Sequence, residues 1–195
     1  IVAALAVACM AIVHVRLPET RGFNSAVRMR RSLPIYLDVL KDRGFLRYSL
    51  AGGVAQSGMF AYITGSPYVF IEHFGLAPTH YSWLFGANAI GIIGMAQFNA
   101  WLLRRYDSRK ILNKSLPFLG LVALATLVAA SLNVAMWWVI VLVFAYVSTL
   151  GMVFPNAMAG ALAEQQERAG SASAVTGSLQ FLIAGIVSAV VNVVG

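Results

Sequence analysis

The sequence predicts an all-α protein that lies in a membrane as a bundle of about six spanning helices. Of its residues, 59% are hydrophobic and 11% are charged, whereas soluble domains carry about a quarter charged residues. Several uncharged apolar windows of roughly 20 residues are each long enough to cross a hydrocarbon core of about 30 Å. The basic residues lie in the gaps between these windows. A polytopic helical membrane bundle explains all three observations.

Residues 1–15 are apolar and predict the end of a spanning helix, which Pro18 should stop because it has no amide hydrogen to donate. The chain does not begin with Met, and we expect it to be an internal fragment of a longer membrane protein. Residues 16–47 contain eight of the fourteen Lys and Arg residues and predict a basic loop. Within this loop, residues 33–46 can form either a short interfacial helix or a flexible linker.

Residues 48–195 predict the main transmembrane bundle, with spans at about 48–70, 81–103, 112–132, 136–162 and 171–194. The first of these spans has small residues at every fourth position, a spacing that lets a neighbouring helix approach closely. Proline residues predict helix kinks in two spans, and the last span begins with small residues. The packing and hinge candidates are Gly53, Ser57, Ala61, Gly65, Pro67, Pro155 and Gly177.

The basic residues predict the orientation of the bundle. If the spans cross alternately, the loops at 16–47, 104–114 and 163–170 share one face and contain all fourteen Lys and Arg residues. The opposite turns contain none, so the positive-inside rule places the basic face in the cytoplasm. The residues expected to determine this topology are Arg28, Arg30, Arg31, Arg104, Arg105, Arg109 and Lys110.

Several classes of protein are disfavoured by what the sequence lacks. No predicted span contains Asp, Glu, Lys or Arg, which argues against a membrane enzyme built on paired acids or a metal. His14 lies on one predicted face, and His73 and His80 on the other, so they cannot converge on one site. Cys9 is the single cysteine, which leaves no disulfide framework. The basic residues are not interleaved with aromatic residues as a nucleic-acid groove requires. We expect no metal, no cofactor and no nucleic-acid partner.

Several short stretches along residues 17–181 are distinctive in combination: Leu17-Pro18-Glu19-Thr20, Arg43-Gly44-Phe45-Leu46, Ala51-Gly52-Gly53, Phe60-Ala61-Tyr62 followed by Gly65-Ser66-Pro67-Tyr68-Val69, Trp83-Leu84-Phe85-Gly86-Ala87-Asn88, and Ala169-Gly170-Ser171-Ala172-Ser173-Ala174 followed by Leu179-Gln180-Phe181. Together these stretches resemble one branch of the major facilitator superfamily, the bicyclomycin/chloramphenicol resistance (Bcr/CflA) drug exporters.

The resemblance implies the carboxy-terminal half of a twelve-helix transporter, with helix six, the loop between the halves and helices seven to eleven. It also implies alternating access and export of small drug-like or metabolite molecules from a bacterial inner membrane, coupled to proton entry. The partners would be the bilayer, the substrate and the missing amino-terminal half, in which we expect the coupling carboxylate. An importer or uniporter of the same superfamily is the alternative, and a membrane enzyme or structural subunit is a more distant one.

In the implied fold, helices seven, eight, ten and eleven border a substrate cavity and helix nine faces lipid. The polar residues of the corresponding spans are therefore cavity candidates, and each can instead form an interhelical hydrogen bond worth about 0.6 to 2 kcal/mol. We expect no catalytic residue. The cavity candidates are Gln56, Tyr62, Thr64, Ser66, Tyr68, Asn88, Gln97, Tyr146, Asn156 and Gln180.

Overall fold

The computed structural model of the chain describes residues 2–16, 32–163 and 165–194. The chain divides into two compact units, Ile1–Ser32 and Leu33–Gly195. In the first unit, the described residues form one helix, α1 (Val2–Arg16). Arg28, Arg30 and Arg31, which were expected to determine topology, lie outside the described residues.

Apart from short connections, the described residues of the second unit are helical. Its α-helices are α2 (Ser32–Lys41), α3 (Arg43–Pro67), α4 (Pro78–Leu102), α5 (Ser108–Ser131), α6 (Met136–Ala163) and α7 (Ala169–Val194). A π-helical segment, Tyr68–His73, follows α3, and a short 3₁₀ turn, Gln166–Arg168, precedes α7.

Residues 33–46 were open to two interpretations, and the structure contains a helix there rather than a linker. Asp42 separates α2 from α3, and its carboxylate accepts hydrogen bonds from the backbone N–H groups of Gly44 (2.8 Å) and Phe45 (3.2 Å). This N-cap lets α3 begin at Arg43, five residues before the predicted span. Val39 and Phe45 are fully buried, so α2 packs on the bundle.

The predicted kink near Pro67 takes the form of a change of helix type. The chain passes directly from α3 into the π-helical segment Tyr68–His73, a form that often occurs at irregular points of long helices. Gly75 then adopts a φ of 67°, and α4 begins at Pro78, where a missing amide hydrogen is harmless. The connection between these helices is therefore shorter than the predicted spans, 48–70 and 81–103, imply.

Among the described residues, three helices are long and apolar enough to cross a membrane by length and composition: Ser108–Ser131, Met136–Ala163 and Ala169–Val193. α3 and α4 have 25 residues each and measure about 37 Å, but they contain more polar side chains. α5 begins four residues before its predicted span because Asp107 caps it. It also contains Pro117, which the sequence interpretation did not consider.

α6 forms the centre of the second unit. α4 and α5 pack on it, and α3 packs on both α6 and α7. The core between these helices consists of buried aliphatic and small side chains: Ala55, Leu112, Leu119, Leu150, Val153 and Ala157. This arrangement leaves the polar residues of α3, α4, α6 and α7 along the lines where those helices meet.

Candidate functional site

A group of hydroxyl and amide side chains joins α3 to α4. The Asn88 amide donates a hydrogen bond to the Tyr62 hydroxyl over 2.7 Å, and the Ser66 and Tyr81 hydroxyls are 2.8 Å apart. The Tyr62 ring also stacks on Phe85, with 6.0 Å between the ring centroids. Three of the cavity candidates, Tyr62, Ser66 and Asn88, are thus brought together. We call these three residues and Tyr81 the α3–α4 cluster.

Polar residues also lie along the contact between α3 and α7. The hydroxyls of Ser49 and Thr176 are 3.0 Å apart and fully buried. Thr64 and Ser188 form a similar pair, with 2.8 Å between their hydroxyl oxygens. Farther along, the Gln180 amide lies so close to Gly52 that a Cβ atom at Gly52 would overlap it. Gln180 therefore depends on a glycine to lie against α3.

The contact between α4 and α6 contains a buried pair of asparagines. The Asn156 amide donates to the Asn99 side-chain oxygen over 2.6 Å and to the Met152 carbonyl over 2.7 Å. Asn156 is 1% exposed and Asn99 is 2% exposed. The Asn156 side-chain oxygen has no hydrogen-bond partner among the residues that the structure describes. Asn156 therefore has a structural partner on α4 and a spare acceptor.

The remaining candidates do not join the α3–α4 cluster. The Tyr146 hydroxyl donates a hydrogen bond to the Ala55 carbonyl over 3.4 Å and not to a member of the cluster. Tyr68 and Gln97 are exposed and Gln56 is partly exposed, and none of the three donates or accepts a side-chain hydrogen bond within the described ranges.

A cavity of about 400 Å³ lies between α3, α5 and α6. Its lining includes Tyr62, Ser66 and Tyr146, but its walls are mainly aliphatic. Ala61 and Gly65 also line it. They belong to the stripe of small residues at every fourth position of α3 (Gly53, Ser57, Ala61 and Gly65), so this end of the small-residue stripe borders the cavity. The tyrosine and serine hydroxyls already have partners, which makes the cavity suited to apolar groups.

The small-residue stripe has a packing role only at one end. A Cβ atom at Gly53 would lie 2.7 Å from the end of the Ile183 side chain on α7, whereas one at Gly65 would meet only Val191, at 3.8 Å. At Gly177 it would meet nothing within 4 Å. Within the described part of the chain, Gly177 thus has no close neighbour, and its packing or hinge role stays a prediction.

Several residues that the sequence interpretation did not select are central to these contacts. A Cβ atom at Gly151 would overlap the backbone of α4 at Ile92. Tyr81, Asn99 and Thr176 were not among the cavity candidates. Their only sequence signal is a polar or small residue within an apolar window, and many other positions share that signal.

The basic residues between α4 and α5 lie at the ends of these helices. Asp107 accepts a hydrogen bond from the Arg109 backbone N–H over 3.1 Å, and Arg105 lies over the Trp101 ring at 5.6 Å. The acidic residue of this segment thus caps α5. Among the described residues, no three His, Cys, Asp or Glu side chains are grouped as a metal site would require.

Comparison with known proteins identifies the family of this chain. Residues 1–189 match the Major Facilitator Superfamily. The chain is 30% identical over 188 residues to the "Uncharacterized MFS-type transporter YdgK" of Bacillus subtilis (strain 168), covering 93% of this chain and 46% of that protein. It is 24% identical over 183 residues to the "Bicyclomycin resistance protein homolog" of Haemophilus influenzae, with the same two coverages.

The chain therefore spans about half the length of the curated relatives it matches. No solved structure matches it. The family match covers nearly the whole chain, and one of the two relatives is named as a transporter of this family. A helical bundle of this composition and a match of this extent lead to one conclusion: the chain belongs to the Major Facilitator Superfamily.

Proposed function

We propose that this chain is the carboxy-terminal half of a transporter that exports small drug-like or metabolite molecules. The observation that carries the proposal is the similarity to the bicyclomycin resistance homologue, which extends over 93% of the chain. The short stretches quoted above point to the same branch. Transport through a central space between two halves would require polar groups on helices that are otherwise apolar, and α3, α4, α6 and α7 carry such groups.

In the proposed mechanism, the two halves rock about a site near the middle of the membrane. Apolar walls would bind most of the substrate surface, and a few amides and hydroxyls would orient it. The α3–α4 cluster and Gln180 are the proposed polar contacts. Asn88 and Tyr62 already bond to each other at 2.7 Å, so a substrate would have to compete with or extend this pair.

We also propose that protons drive export. No Asp or Glu lies within helices α3 to α7, so the titrating carboxylate would belong to the amino-terminal half. The basic segments would face the cytoplasm, and the protein would lie in the bacterial inner membrane as a multi-pass bundle. No cofactor is part of this mechanism.

Everted membrane vesicles that contain the full-length protein test the proposal. When the vesicle lumen is made acidic, so that protons flow outward, such vesicles should accumulate bicyclomycin or chloramphenicol, and collapsing the gradient should abolish accumulation. Asn88→Ala should lower uptake several-fold. Asn192→Ala, on the exposed outer end of α7, is the matched control and should leave uptake unchanged.

The alternatives give different results in the same vesicles. An importer would accumulate substrate in right-side-out vesicles instead, and a uniporter would show no dependence on the proton gradient. Absence of gradient-driven uptake across a broad panel of drugs and metabolites would contradict export.

A further inference from the structure

A second cavity, of about 520 Å³, lies where α4 ends and α5 begins, beside α6. One wall is apolar and includes Leu102, Ile111 and Met152. The other side carries Tyr106, Lys110 and Lys114. The two lysines are one helical turn apart on α5, so their side chains extend from the same face of that helix.

The surroundings of this cavity are strongly positive. Residues 104–114 contain five Lys or Arg residues and a single acid, Asp107. That carboxylate already accepts a hydrogen bond at the start of α5. Neither lysine forms an ion pair with any carboxylate that the structure describes. An anion in the cavity would thus meet two ammonium groups that have no competing partner there.

The side chains beside this cavity are of the kinds found at a membrane surface. α4 ends and α5 begins here. The aromatic side chains of Trp101 and Tyr106 are both exposed, as is typical of residues at the membrane–water boundary. Arg105 lies over the Trp101 ring, with its charge beside the same boundary. The charged side of the cavity would therefore face lipid headgroups, and its apolar wall would face the beginning of the acyl chains.

We propose that this cavity binds an anionic phospholipid. Lys110 and Lys114 pair with the headgroup phosphate, and the Tyr106 hydroxyl donates a further hydrogen bond to it. The apolar wall contacts the glycerol and the first methylene groups. A soluble phosphate would leave that wall empty, which is why the occupant is a lipid. This site is separate from the α3–α4 cluster, and it does not depend on the proposed transport activity.

The test is lipid binding to the full-length protein purified in detergent, measured by native mass spectrometry with phosphatidylglycerol and phosphatidylethanolamine at equal concentrations. Phosphatidylglycerol should be retained preferentially. Lys110→Gln should weaken its binding about fivefold, and the double variant Lys110→Gln/Lys114→Gln about 30-fold. Lys41→Gln, the same substitution at an exposed lysine outside the cavity, is the control and should bind as the unaltered protein does.

Three results would overturn the proposal. The first is equal retention of the two lipids by the unaltered protein. The second is an equal loss in Lys41→Gln and in the double variant, which would mean that the whole basic surface attracts lipid. The third is displacement of the lipid by soluble glycerol phosphate at equal concentration, which would identify a simple anion site. Both lysines are exposed, so their replacement should leave folding intact, and elution of the variants at the normal volume in size-exclusion chromatography checks this.

Discussion

Gly151 lies where α6 comes closest to the backbone of α4. A side chain there would overlap the Ile92 carbonyl, and a Cβ atom would lie 3.0 Å from the Ala96 amide nitrogen. Backbone atoms cannot rotate away as the end of a side chain can. The absence of a side chain at this position therefore sets the distance between the two helices.

Gly151→Ala should destabilise the folded protein by about 1–3 kcal/mol, since the added methyl group forces α4 and α6 apart. Gly94→Ala is the matched control, because a Cβ atom there meets nothing within 4 Å. The midpoint of thermal unfolding in detergent measures the difference. Equal midpoints for the two variants would show that α4 and α6 do not approach as described.

The Asn99–Asn156 pair offers a second prediction at this scale. Each single change to Ala should destabilise the protein, because a buried amide is left without its partner. The double variant should cost less than the sum of the single changes, with a coupling energy of about 0.6–2 kcal/mol. Denaturant unfolding of all four proteins measures the coupling. If the two destabilisations simply add, the 2.6 Å hydrogen bond between the side chains contributes nothing to the stability of the fold.

Sequence reasoning identified polar residues at this scale but not their partners. Tyr62 and Asn88 were both candidates, yet only the tertiary arrangement of α3 and α4 could place them 2.7 Å apart. Tyr68 and Gln97 are also polar residues within apolar spans, but both are exposed and neither joins the cluster. The face that a residue occupies depends on how its helix is rotated, and helices with polar residues on several faces do not reveal that rotation.

At the scale of elements, Asp42 connects three segments. One carboxylate oxygen caps α3, and the other accepts a hydrogen bond from the Gln165 amide over 2.6 Å. Val39 and Phe45 pack beneath it against Ala161 and Ala172, all four fully buried. The α2–α3 junction is thus held to the turn between α6 and α7 by an apolar cluster and a charge-assisted hydrogen bond.

Asp42→Ala should lower stability by about 0.5–2 kcal/mol for the lost cap alone, with a further loss from the bond to Gln165. Asp42→Asn keeps an acceptor for the cap but replaces the other oxygen with a donor group. The loss of stability in Asp42→Asn should therefore be larger than that in Gln165→Ala and smaller than that in Asp42→Ala. Thermal unfolding of the three variants ranks them. A more severe effect of Asp42→Asn than of Asp42→Ala would contradict the capping role.

The helix boundaries show where sequence reasoning at this scale reached its limit. Charged residues were used to end the spans, so α3 was expected from residue 48 and α5 from residue 112. Both helices instead begin at capping aspartates, Asp42 and Asp107. A helix can continue past the hydrocarbon core into water, and its end is then set by capping and not by hydropathy. Length and composition predicted that the helices exist, and local hydrogen bonds fixed their ends.

In the second unit as a whole, the packing pattern is repeated. The long helices fall along the chain into an earlier group, α3 to α5, and a later group, α6 and α7. α7, the second helix of the later group, packs on α3, the first helix of the earlier group. α4, the second helix of the earlier group, packs on α6, the first helix of the later one. Such reciprocal contacts are what the nested inverted repeats of this superfamily produce. They place α3 and α6 side by side at the centre, and α5 packs mainly on α6 at the periphery.

This arrangement leads to a prediction of sidedness. Two long helices, α3 and α4, lie between positions 30 and 110, and two, α4 and α5, lie between positions 75 and 133. In a Cys9→Ser background, Arg30→Cys and Lys110→Cys should react with an impermeant maleimide only from the cytoplasmic side. Gly75→Cys and Asn133→Cys should react only from the opposite side, and Leu124→Cys, in the middle of α5, from neither. Removing one of fourteen basic residues is too small a change to invert the protein.

Reaction of positions 30 and 110 from opposite sides would mean that an odd number of helices crosses the membrane between them. α3 or α4, the two long helices with the most polar character, would then lie at the surface instead of crossing. Their hydrogen-bonded contact at Tyr62 and Asn88 would no longer lie within the membrane, and the proposed substrate site would be lost with it. The labelling pattern therefore tests the crossing of α3 and α4 directly, independently of any transport measurement.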